Sequence, residues 1–175
     1  MINIDIIILS FAKTDALQKT TLQAIDSLMS SEDPEKIRFN ILVIESVQSL
    51  APYQYPNSIT IYPKTSFGYN KFMNMGIRAT NNPYICLCNN DLIFHEHWAS
   101  EIIKEMDKDP SLLSASTYDD IFHQSEGLPK YQPPLEGYMD VLSPWCIFVK
   151  REIFDIIGLL DEHLIFRFDN VNDKL

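Results

Sequence analysis

Short runs of β-branched and other apolar residues alternate with helical patterns along this chain of 175 residues. The three strongest runs are Ile4 to Leu9, Phe39 to Ile44 and Tyr84 to Cys88. Nearly continuous apolar runs are typical of parallel strands that helices cover on both faces. Two weaker runs, Ser58 to Tyr62 and Leu112 to Ser116, predict further short strands. The alternation therefore predicts an α/β fold with a mostly parallel central sheet and helices on both faces.

The segments between the apolar runs show the helical period. Thr14 predicts an N-cap, and apolar residues recur at helical spacing after it as far as Met29. A second helix is predicted from the loop at Gly68 to about Ala79, and a third over Glu96 to Asp107. These helices supply the crossovers that parallel strands require.

The pattern changes in the later part of the chain. The stretch Thr117 to Tyr138 has little apolar content, which predicts a long functional loop. After it, Met139 to Lys150 predicts a strand that carries Trp145, and Arg151 to Ile157 predicts a short helix. Because no internal repeat or linker interrupts the chain, we predict a single domain over residues 1–175.

The charge balance bears on possible partners. The chain has 24 acidic and 14 basic side chains, a net charge of −10 with histidine neutral. Nucleic-acid phosphates are repelled by such a surface, so nonspecific nucleic-acid binding is not expected. The acidic excess is compatible with divalent-metal chemistry, although such an excess more often reflects a solvated surface.

The cysteines and the N-terminus bear on location. Three cysteines without a Cys-x-x-Cys pair, two of them in the run at Cys86 and Cys88, are typical of buried free thiols. The apolar start lacks the basic region and cleavage site of a signal peptide, and no segment reaches the ~18 apolar residues of a membrane span. We therefore expect a cytoplasmic protein without a transmembrane segment.

Polar residues collect where the predicted strands end. In open α/β sheets, ligands bind beyond the carboxyl ends of the strands. That rule, with the start of the second helix, selects these candidates: Ser10, Phe11, Glu45, Ser46, Gly68, Lys71, Asn74, Asn89, Asn90 and Asp91. A helix N-terminus favours an anion, and the carboxylate of Asp91 suits Mg²⁺ or Mn²⁺. The group predicts a site for a diphosphate and its metal, although a lone Asp after a strand is more often a turn or helix cap.

The order and spacing of these motifs resemble the family 2 glycosyltransferases of GT-A fold. The similarity runs from Ile4 almost to Leu175. It comprises the opening strand with its nucleotide loop, the second strand ending at Glu45, and a glycine, aromatic, Asn-x-Gly helix over Phe67 to Ile77. The strand Tyr84 to Asp91 resembles the one that leads into the metal-binding Asp-x-Asp position, here Asn-Asn-Asp.

The resemblance implies a GT-A (Rossmann-like) domain that uses a nucleotide-diphosphate sugar donor with Mn²⁺ or Mg²⁺. Residues 1–100 would bind the nucleotide and metal, and residues 101–175 would supply the acceptor and catalytic parts. Glu45 would contact the base or ribose, and Asp91 would bind the metal. The acceptor would be a glycan or another hydroxyl compound, as in polysaccharide biosynthesis.

The resemblance also implies a catalytic base near the C-terminus. Where the family has an aromatic residue and a Glu-Asp pair, this chain has Phe168, Asp169 and Asn170. Since an amide cannot accept a proton at neutral pH, Asp169 is the predicted general base. The family continues into an acceptor-binding tail, so we expect the chain to be truncated at its C-terminus.

Three other residues are weaker acceptor candidates. Trp145 is suited to stacking on a sugar ring, and packing in the core is an equally good interpretation. Asp161 and Glu162 lie in a segment that the resemblance makes structural or acceptor-binding.

The predicted reaction is an inverting, metal-dependent transfer of a sugar to an acceptor hydroxyl. Asn-Asn-Asp and Asn170 depart from the family pattern, which leaves open a catalytically silent GT-A-like domain that binds a nucleotide or a partner. A nucleotidyltransferase is disfavoured because no basic, glycine-rich loop follows the first strand.

Overall fold

The computed structural model describes residues 1–116 and 145–163. Its elements, in chain order, are β1 (Ile2–Ser10), α1 (Asp15–Ser31), β2 (Ile37–Glu45), a 3-10 helix (Gln48–Leu50), β3 (Ile59–Ile61), α2 (Tyr69–Ala79), β4 (Tyr84–Asn89), α3 (Trp98–Lys108), β5 (Ser114–Ser116), β6 (Cys146–Lys150) and α4 (Ile153–Ile157). Within these ranges, no helix combines the length and apolar character needed to cross a membrane.

The six strands form one sheet in the order β3-β2-β1-β4-β6-β5. Strands β1 to β4 are parallel, and β6 runs antiparallel to both of its neighbours. The prediction of a mostly parallel sheet in an α/β fold is confirmed. In β1, Ser10 lies opposite Glu45 of β2, and Leu9 lies opposite Asn89 of β4. The carboxyl ends of the three central strands therefore meet at one edge.

Strand β1 is central and is covered on both faces. Ile4, Ile6 and Ile8 pack in one core layer, whose helical members come from α1 and α3. Ile7 and Leu9 belong to the second layer, whose helical members come chiefly from α2. Because successive side chains of a strand point to opposite faces, a strand between two helical layers has apolar residues at nearly every position.

Helix α1 begins as the sequence predicts. Its N-cap is Thr14, whose Oγ1 accepts a hydrogen bond from the Leu17 N–H at 3.3 Å. The prediction for α3 was wrong at its start, since the helix begins at Trp98 rather than at Glu96. His97 has a φ of 66°, and this left-handed backbone cannot continue a right-handed helix.

The predicted strand over Met139 to Lys150 also needs correction. The described part of it is β6, which begins at Cys146, while Trp145 lies in the turn before it. The carbonyl of Trp145 accepts a hydrogen bond from the Asn89 N–H at 2.9 Å. The predicted loop over residues 117–138 lies outside the described residues.

Helix α2 approaches β1 closely at Gly76. A Cβ atom built on Gly76 would overlap the side chain of Ile7, with Cγ2 the nearest atom. Ile7 is fully buried, so its side chain has little room to move away. The glycine therefore sets how closely this helix packs on the central strand.

We expect Gly76→Ala to lower the free energy of unfolding by about 1–3 kcal/mol, because the added methyl overpacks the interface with Ile7. Chemical denaturation measures the change. In an Ile7→Ala background the same substitution should cost much less, since the methyl then has space. An increase in stability in the otherwise native chain, as for an ordinary helical glycine, would contradict this packing.

A polar cluster fills the amino end of the sheet, opposite the edge described above. Asp5 is fully buried in β1, and its carboxylate accepts four hydrogen bonds. The donors are Asn40 Nδ2 at 2.7 Å, Asn82 N at 2.8 Å, Asn82 Nδ2 at 2.6 Å and Arg151 Nη2 at 2.7 Å. The guanidinium of Arg151 also donates to the carbonyls of Asn82 and Ile77. These bonds tie the residue after β6 to the centre of the sheet.

Replacing Asp5 by Ala should lower the free energy of unfolding by about 3–5 kcal/mol, because a largely buried guanidinium loses its counter-charge. Glu105→Ala is the matched control, since it breaks the exposed Lys108–Glu105 pair, in which both side chains are more than half exposed. Such a surface pair contributes about 0–0.5 kcal/mol. Equal effects of the two substitutions in urea denaturation would rule out the proposed importance of the Asp5 cluster.

Candidate functional site

The carboxyl edge of the sheet brings together residues from three strands. Ser10, Glu45 and Asn89 end β1, β2 and β4, and the loops that follow contact one another. The Ser46 N–H donates to the Ser10 carbonyl at 2.9 Å. The side chains at this edge differ in what they contact, and this difference separates structural from ligand-facing groups.

Glu45 holds the loops together from inside. It is fully buried, and its Oε1 accepts hydrogen bonds from the Ala12 N–H at 3.2 Å and the Val47 N–H at 2.8 Å. Its Oε2 accepts from the Tyr55 hydroxyl at 3.0 Å. Burial, followed by the negative charge of Glu45, raises the pKa of Tyr55 to about 12, so this hydroxyl keeps its proton. A direct contact of Glu45 with a base or ribose stays a prediction.

Ser10 lies beneath the edge in a line of hydrogen-bonded side chains. Its buried Oγ lies 2.9 Å from Thr21 Oγ1 of α1 and 3.4 Å from the Tyr55 hydroxyl. Thr21 Oγ1 in turn accepts a hydrogen bond from Asn90 Nδ2 at 2.8 Å. Polar side chains therefore link Glu45 at the end of β2 with Asn90 after β4. Composition and periodicity did not reveal this link, because its members are far apart in sequence.

Ser46 and Phe11 are the candidates on the β1–β2 side whose side chains take no part in the hydrogen bonds of Glu45 and Ser10. Among the described residues, Ser46 Oγ is the one buried side-chain oxygen or nitrogen that lacks a hydrogen-bond partner. Burying a polar group without a hydrogen-bond partner costs free energy, so Ser46 marks a place where a ligand can donate or accept a hydrogen bond. The ring of Phe11 is 49% exposed, and the ammonium group of Lys13 lies 4.4 Å from its centroid.

The Asn-Asn-Asp segment follows β4. Asn89 Oδ1 accepts from the Tyr69 hydroxyl at 3.5 Å, and burial raises the pKa of Tyr69 to about 12. Asp91 is exposed. Within the described ranges, no group of three or more His, Cys, Asp or Glu residues is arranged to hold a metal ion.

The residues at this segment fit a divalent ion that is shared with a ligand. Mg²⁺ is commonly bound by one or two carboxylates together with the phosphates of a substrate, rather than by a cage of protein ligands. The exposed carboxylate of Asp91, beside two carboxamides, supplies the protein part of such a set. Asp91, with Asn89 or Asn90, would therefore hold Mn²⁺ or Mg²⁺ once a diphosphate supplies the remaining oxygens.

The first turn of α2 lies beside this segment, as the contact between Tyr69 and Asn89 shows. Gly68 is the N-cap and has an extended backbone. Lys71 Nζ donates to the Ser66 carbonyl at 3.4 Å, from a partly exposed side chain. A helix N-terminus with a nearby ammonium group is a favourable place for an anion.

Asn74 makes a different set of contacts. It is buried, its Nδ2 donates to the Leu160 carbonyl at 2.8 Å and to Glu162 Oε1 at 2.9 Å, and its Oδ1 accepts from the Leu160 N–H. The hydrogen bond from Asn74, with further help from Arg78, lowers the pKa of Glu162. Asn70 Nδ2 binds the carbonyl of Asp161 at 2.7 Å. Asn74 therefore holds the segment that contains the two acceptor candidates.

Sequence reasoning missed the two helix residues that flank Asn74. Asn70, Asn74 and Arg78 recur every four residues, so they form one polar stripe along α2. That spacing was visible in the sequence, but its partners, residues 160–162, are more than eighty residues away. An amphipathic helix with asparagines on a buried face is the signal that would have found the stripe.

The remaining candidates divide into two groups. Trp145 is partly buried and packs against the core cluster under α1 and α3, as its core interpretation predicts. Asp169 and Asn170 lie outside the described residues, so the identity of the general base stays a prediction.

The sequence matches the profile of one known protein family. The sequence profile described as "Glycosyl transferase family 2" matches residues 5–157. No curated protein matches the sequence significantly.

Similar solved structures are glycosyltransferases. A mannosyltransferase, PcManGT from Pyrobaculum calidifontis, in complex with GDP-Man and Mn²⁺, is 12% identical, with a TM-score of 0.69 over 92% of this chain and 48% of its own. Residues 1-349 of S. aureus TarS in complex with UDP-GlcNAc are 14% identical, with a TM-score of 0.61 over 93% of this chain and 50% of that one.

The family profile identifies the family of the chain, and the solved structures identify its fold. The chain spans about half the length of these solved structures. Their shared architecture confirms the predicted GT-A fold for the α/β sheet described above. With the family profile matching from β1 to α4, and the fold in agreement, the chain belongs to glycosyl transferase family 2.

Proposed function

We propose that this chain is the GT-A domain of an inverting, metal-dependent glycosyltransferase, in which residues 1–100 bind the donor and residues 101–175 supply the acceptor and catalytic parts. It would move a sugar from a nucleotide-diphosphate donor to the hydroxyl of a glycan or another acceptor, as in polysaccharide biosynthesis. The observation that carries the proposal is the carboxyl edge of the sheet. There an unpartnered buried hydroxyl, an exposed carboxylate and a helix N-terminus surround the ends of three parallel strands. Relatives with UDP-GlcNAc, or with GDP-Man and Mn²⁺, support this choice of ligand.

The edge has two sides with different chemistry. Phe11 and Ser46, after β1 and β2, would contact the nucleoside, with Glu45 and Ser10 supporting the loops from below. Asn89, Asn90 and Asp91 would lie against the diphosphate, and the start of α2 with Gly68 and Lys71 would add positive potential. A bound divalent ion would neutralise negative charge on the departing diphosphate.

The chemical step needs a proton acceptor on the side of the sugar opposite the diphosphate. The acceptor oxygen would bond to the anomeric carbon while the bond to the diphosphate breaks, and the diphosphate would keep that electron pair. Asp169 would take the proton from the acceptor hydroxyl, a contribution typically worth about 10²–10⁴-fold in rate. Attack from the far face inverts the configuration of the sugar, and one base suffices.

The acceptor side and the location of the protein are further parts of the proposal. The acceptor would lie beside Asp161 and Glu162, which α2 holds in place. It would also lie beside Trp145, whose carbonyl is hydrogen-bonded to Asn89 at the end of β4. A cytoplasmic location agrees with the three cysteines, all of which are free and buried.

A catalytically silent, nucleotide-binding domain is the second candidate. It is favoured by Asn-Asn-Asp, which leaves one carboxylate at the end of β4, and by Asn170 in the predicted base segment. Restoring an acid with Asn170→Asp separates the two candidates. A weakened enzyme should transfer or hydrolyse donor faster, whereas a silent domain should show no change in turnover.

Binding of the donor nucleotide is the direct test. We expect UDP or GDP with Mn²⁺ to stabilise the protein by about 2.7 kcal/mol at a hundred times its dissociation constant, or about 5–10 °C in melting temperature. Asp91→Ala should abolish the part of this stabilisation that depends on Mn²⁺. Asp26→Ala, which changes an exposed residue of α1, should leave that part unchanged. If neither nucleotide shifts the melting temperature of the folded protein, the donor-site proposal is wrong.

Ser46 allows a second test with two readouts. Ser46→Ala should leave the free energy of unfolding unchanged or slightly higher, because it removes a buried hydroxyl that has no partner. The affinity for the nucleotide should fall by about 3- to 10-fold, the value of one hydrogen bond. Ser49→Ala, an exposed position in the 3-10 helix that follows, is the control. Unchanged nucleotide affinity in the Ser46 variant would remove this residue from the site.

A further inference from the structure

We propose that Thr21 is a positioning residue for the metal-binding segment, and that its buried hydroxyl holds Asn90 by a hydrogen bond. This inference rests on the proposed function, since it assigns a role in binding the divalent ion that accompanies the donor. Thr21 itself would touch neither the ion nor the nucleotide.

The contact joins two elements that are distant in sequence. Thr21 is fully buried in α1, and its Oγ1 accepts a hydrogen bond from Asn90 Nδ2 at 2.8 Å. Asn90 is the residue immediately before Asp91. It is partly exposed, so its side chain reaches from the surface edge of the sheet into the interior. A short contact to a buried oxygen fixes the side chain better than a contact in solvent would.

The rest of the network determines which way the Asn90 amide is turned. The Glu45 carboxylate only accepts hydrogen bonds, so the Tyr55 hydroxyl must donate to it. The Thr21 hydroxyl donates its one hydrogen to the Leu17 carbonyl at 3.4 Å, so toward Ser10 and Asn90 its oxygen can only accept. Thr21 Oγ1 is left to accept from the NH₂ group of Asn90. The carbonyl oxygen of that amide is consequently held on the other side, as an oxygen ligand for a hard cation.

Asp91 depends on this anchor because it has few contacts of its own. Its side chain is exposed, and no hydrogen bond or ion pair holds it within residues 1–116 and 145–163. Fixing one residue of backbone removes conformational entropy that metal binding would otherwise have to overcome. The Thr21–Asn90 contact therefore prepares the position of the adjacent carboxylate before the ion arrives.

The test measures Mn²⁺ binding rather than turnover. Thr21→Val keeps the shape of the side chain and removes the hydroxyl. With the protein saturated in UDP or GDP, whichever binds, we expect Mn²⁺ affinity to fall about 5- to 10-fold by titration calorimetry or by the electron paramagnetic resonance of free Mn²⁺. Affinity for the nucleotide without metal should stay within about twofold of that of the unsubstituted chain.

Two further variants serve as controls. Thr21→Ser keeps the hydroxyl and should restore Mn²⁺ affinity. Thr20→Val changes the neighbouring threonine, whose hydroxyl donates only to the Ala16 carbonyl in the same helix, and should have no effect. In an Asn90→Ala background, which by itself lowers Mn²⁺ affinity by a similar factor, Thr21→Val should add nothing, because the contact through which it acts is already lost.

Specific outcomes overturn the inference. Unchanged Mn²⁺ affinity in Thr21→Val or in Asn90→Ala would contradict it. A loss of metal-free nucleotide affinity in Thr21→Val as large as its loss of Mn²⁺ affinity would also contradict it, because that result indicates a general structural defect. If Thr21→Val does not fold, Thr21→Ala replaces it, because it also removes the hydroxyl that accepts from Asn90, and the same outcomes apply with Thr20→Ala as its control. Absence of nucleotide and Mn²⁺ binding by the unsubstituted chain would instead reject the proposed function, and this inference with it.

Discussion

The burial of β1 on both faces is the constraint on which the rest of this structure depends. β1 is hydrogen-bonded to β2 on one side and to β4 on the other, and helices cover both of its faces. The backbone N–H and C=O groups from Ile4 to Leu9 cannot become exposed to water without breaking hydrogen bonds of the sheet, so the strand cannot shift along its neighbours. Helix α2 can approach β1 closely because Gly76 has no side chain, and the Ile7 side chain fills the space that a methyl group there would need.

The two ends of this strand carry polar clusters of different kinds. At the amino end, Asp5 has four hydrogen bonds and a guanidinium partner, so its charge is fully compensated within the protein. At the carboxyl end, Glu45 is also fully engaged, but the neighbouring Ser46 hydroxyl and the Asp91 carboxylate are not. The proposed binding groups, Ser46 and Asp91, each directly follow a residue that is held by hydrogen bonds, Glu45 and Asn90. In the proposed function this support keeps them in place before a ligand arrives.

The later part of the chain is attached to the same framework from both ends of the sheet. Arg151 binds the Asp5 cluster, while residues 160–162 are held by Asn70, Asn74 and Arg78 on α2. Helix α2 therefore does two things, since its first turn lies at the candidate diphosphate position and its polar stripe holds residues 160–162. Such a helix gives the donor and acceptor sides of the proposed reaction a shared, rigid reference.

The α/β class, the order of strands and helices through α2, the N-cap at Thr14 and the polar residues at the strand ends could all be predicted from the sequence. Local periodicity and capping chemistry are properties of neighbouring residues, so they can be read without a structure. Three features became visible in the folded chain alone: Glu45 and Ser10 support the candidate site from within, Asn74 binds residues 160–162, and Trp145 precedes β6. The start of α3 at Trp98 also depends on a distant contact, since Glu32, the residue after α1, accepts hydrogen bonds from its first turn. These features depend on contacts between residues far apart in the chain, and the burial that distinguishes a bound hydroxyl from an available one exists only after the layers have packed.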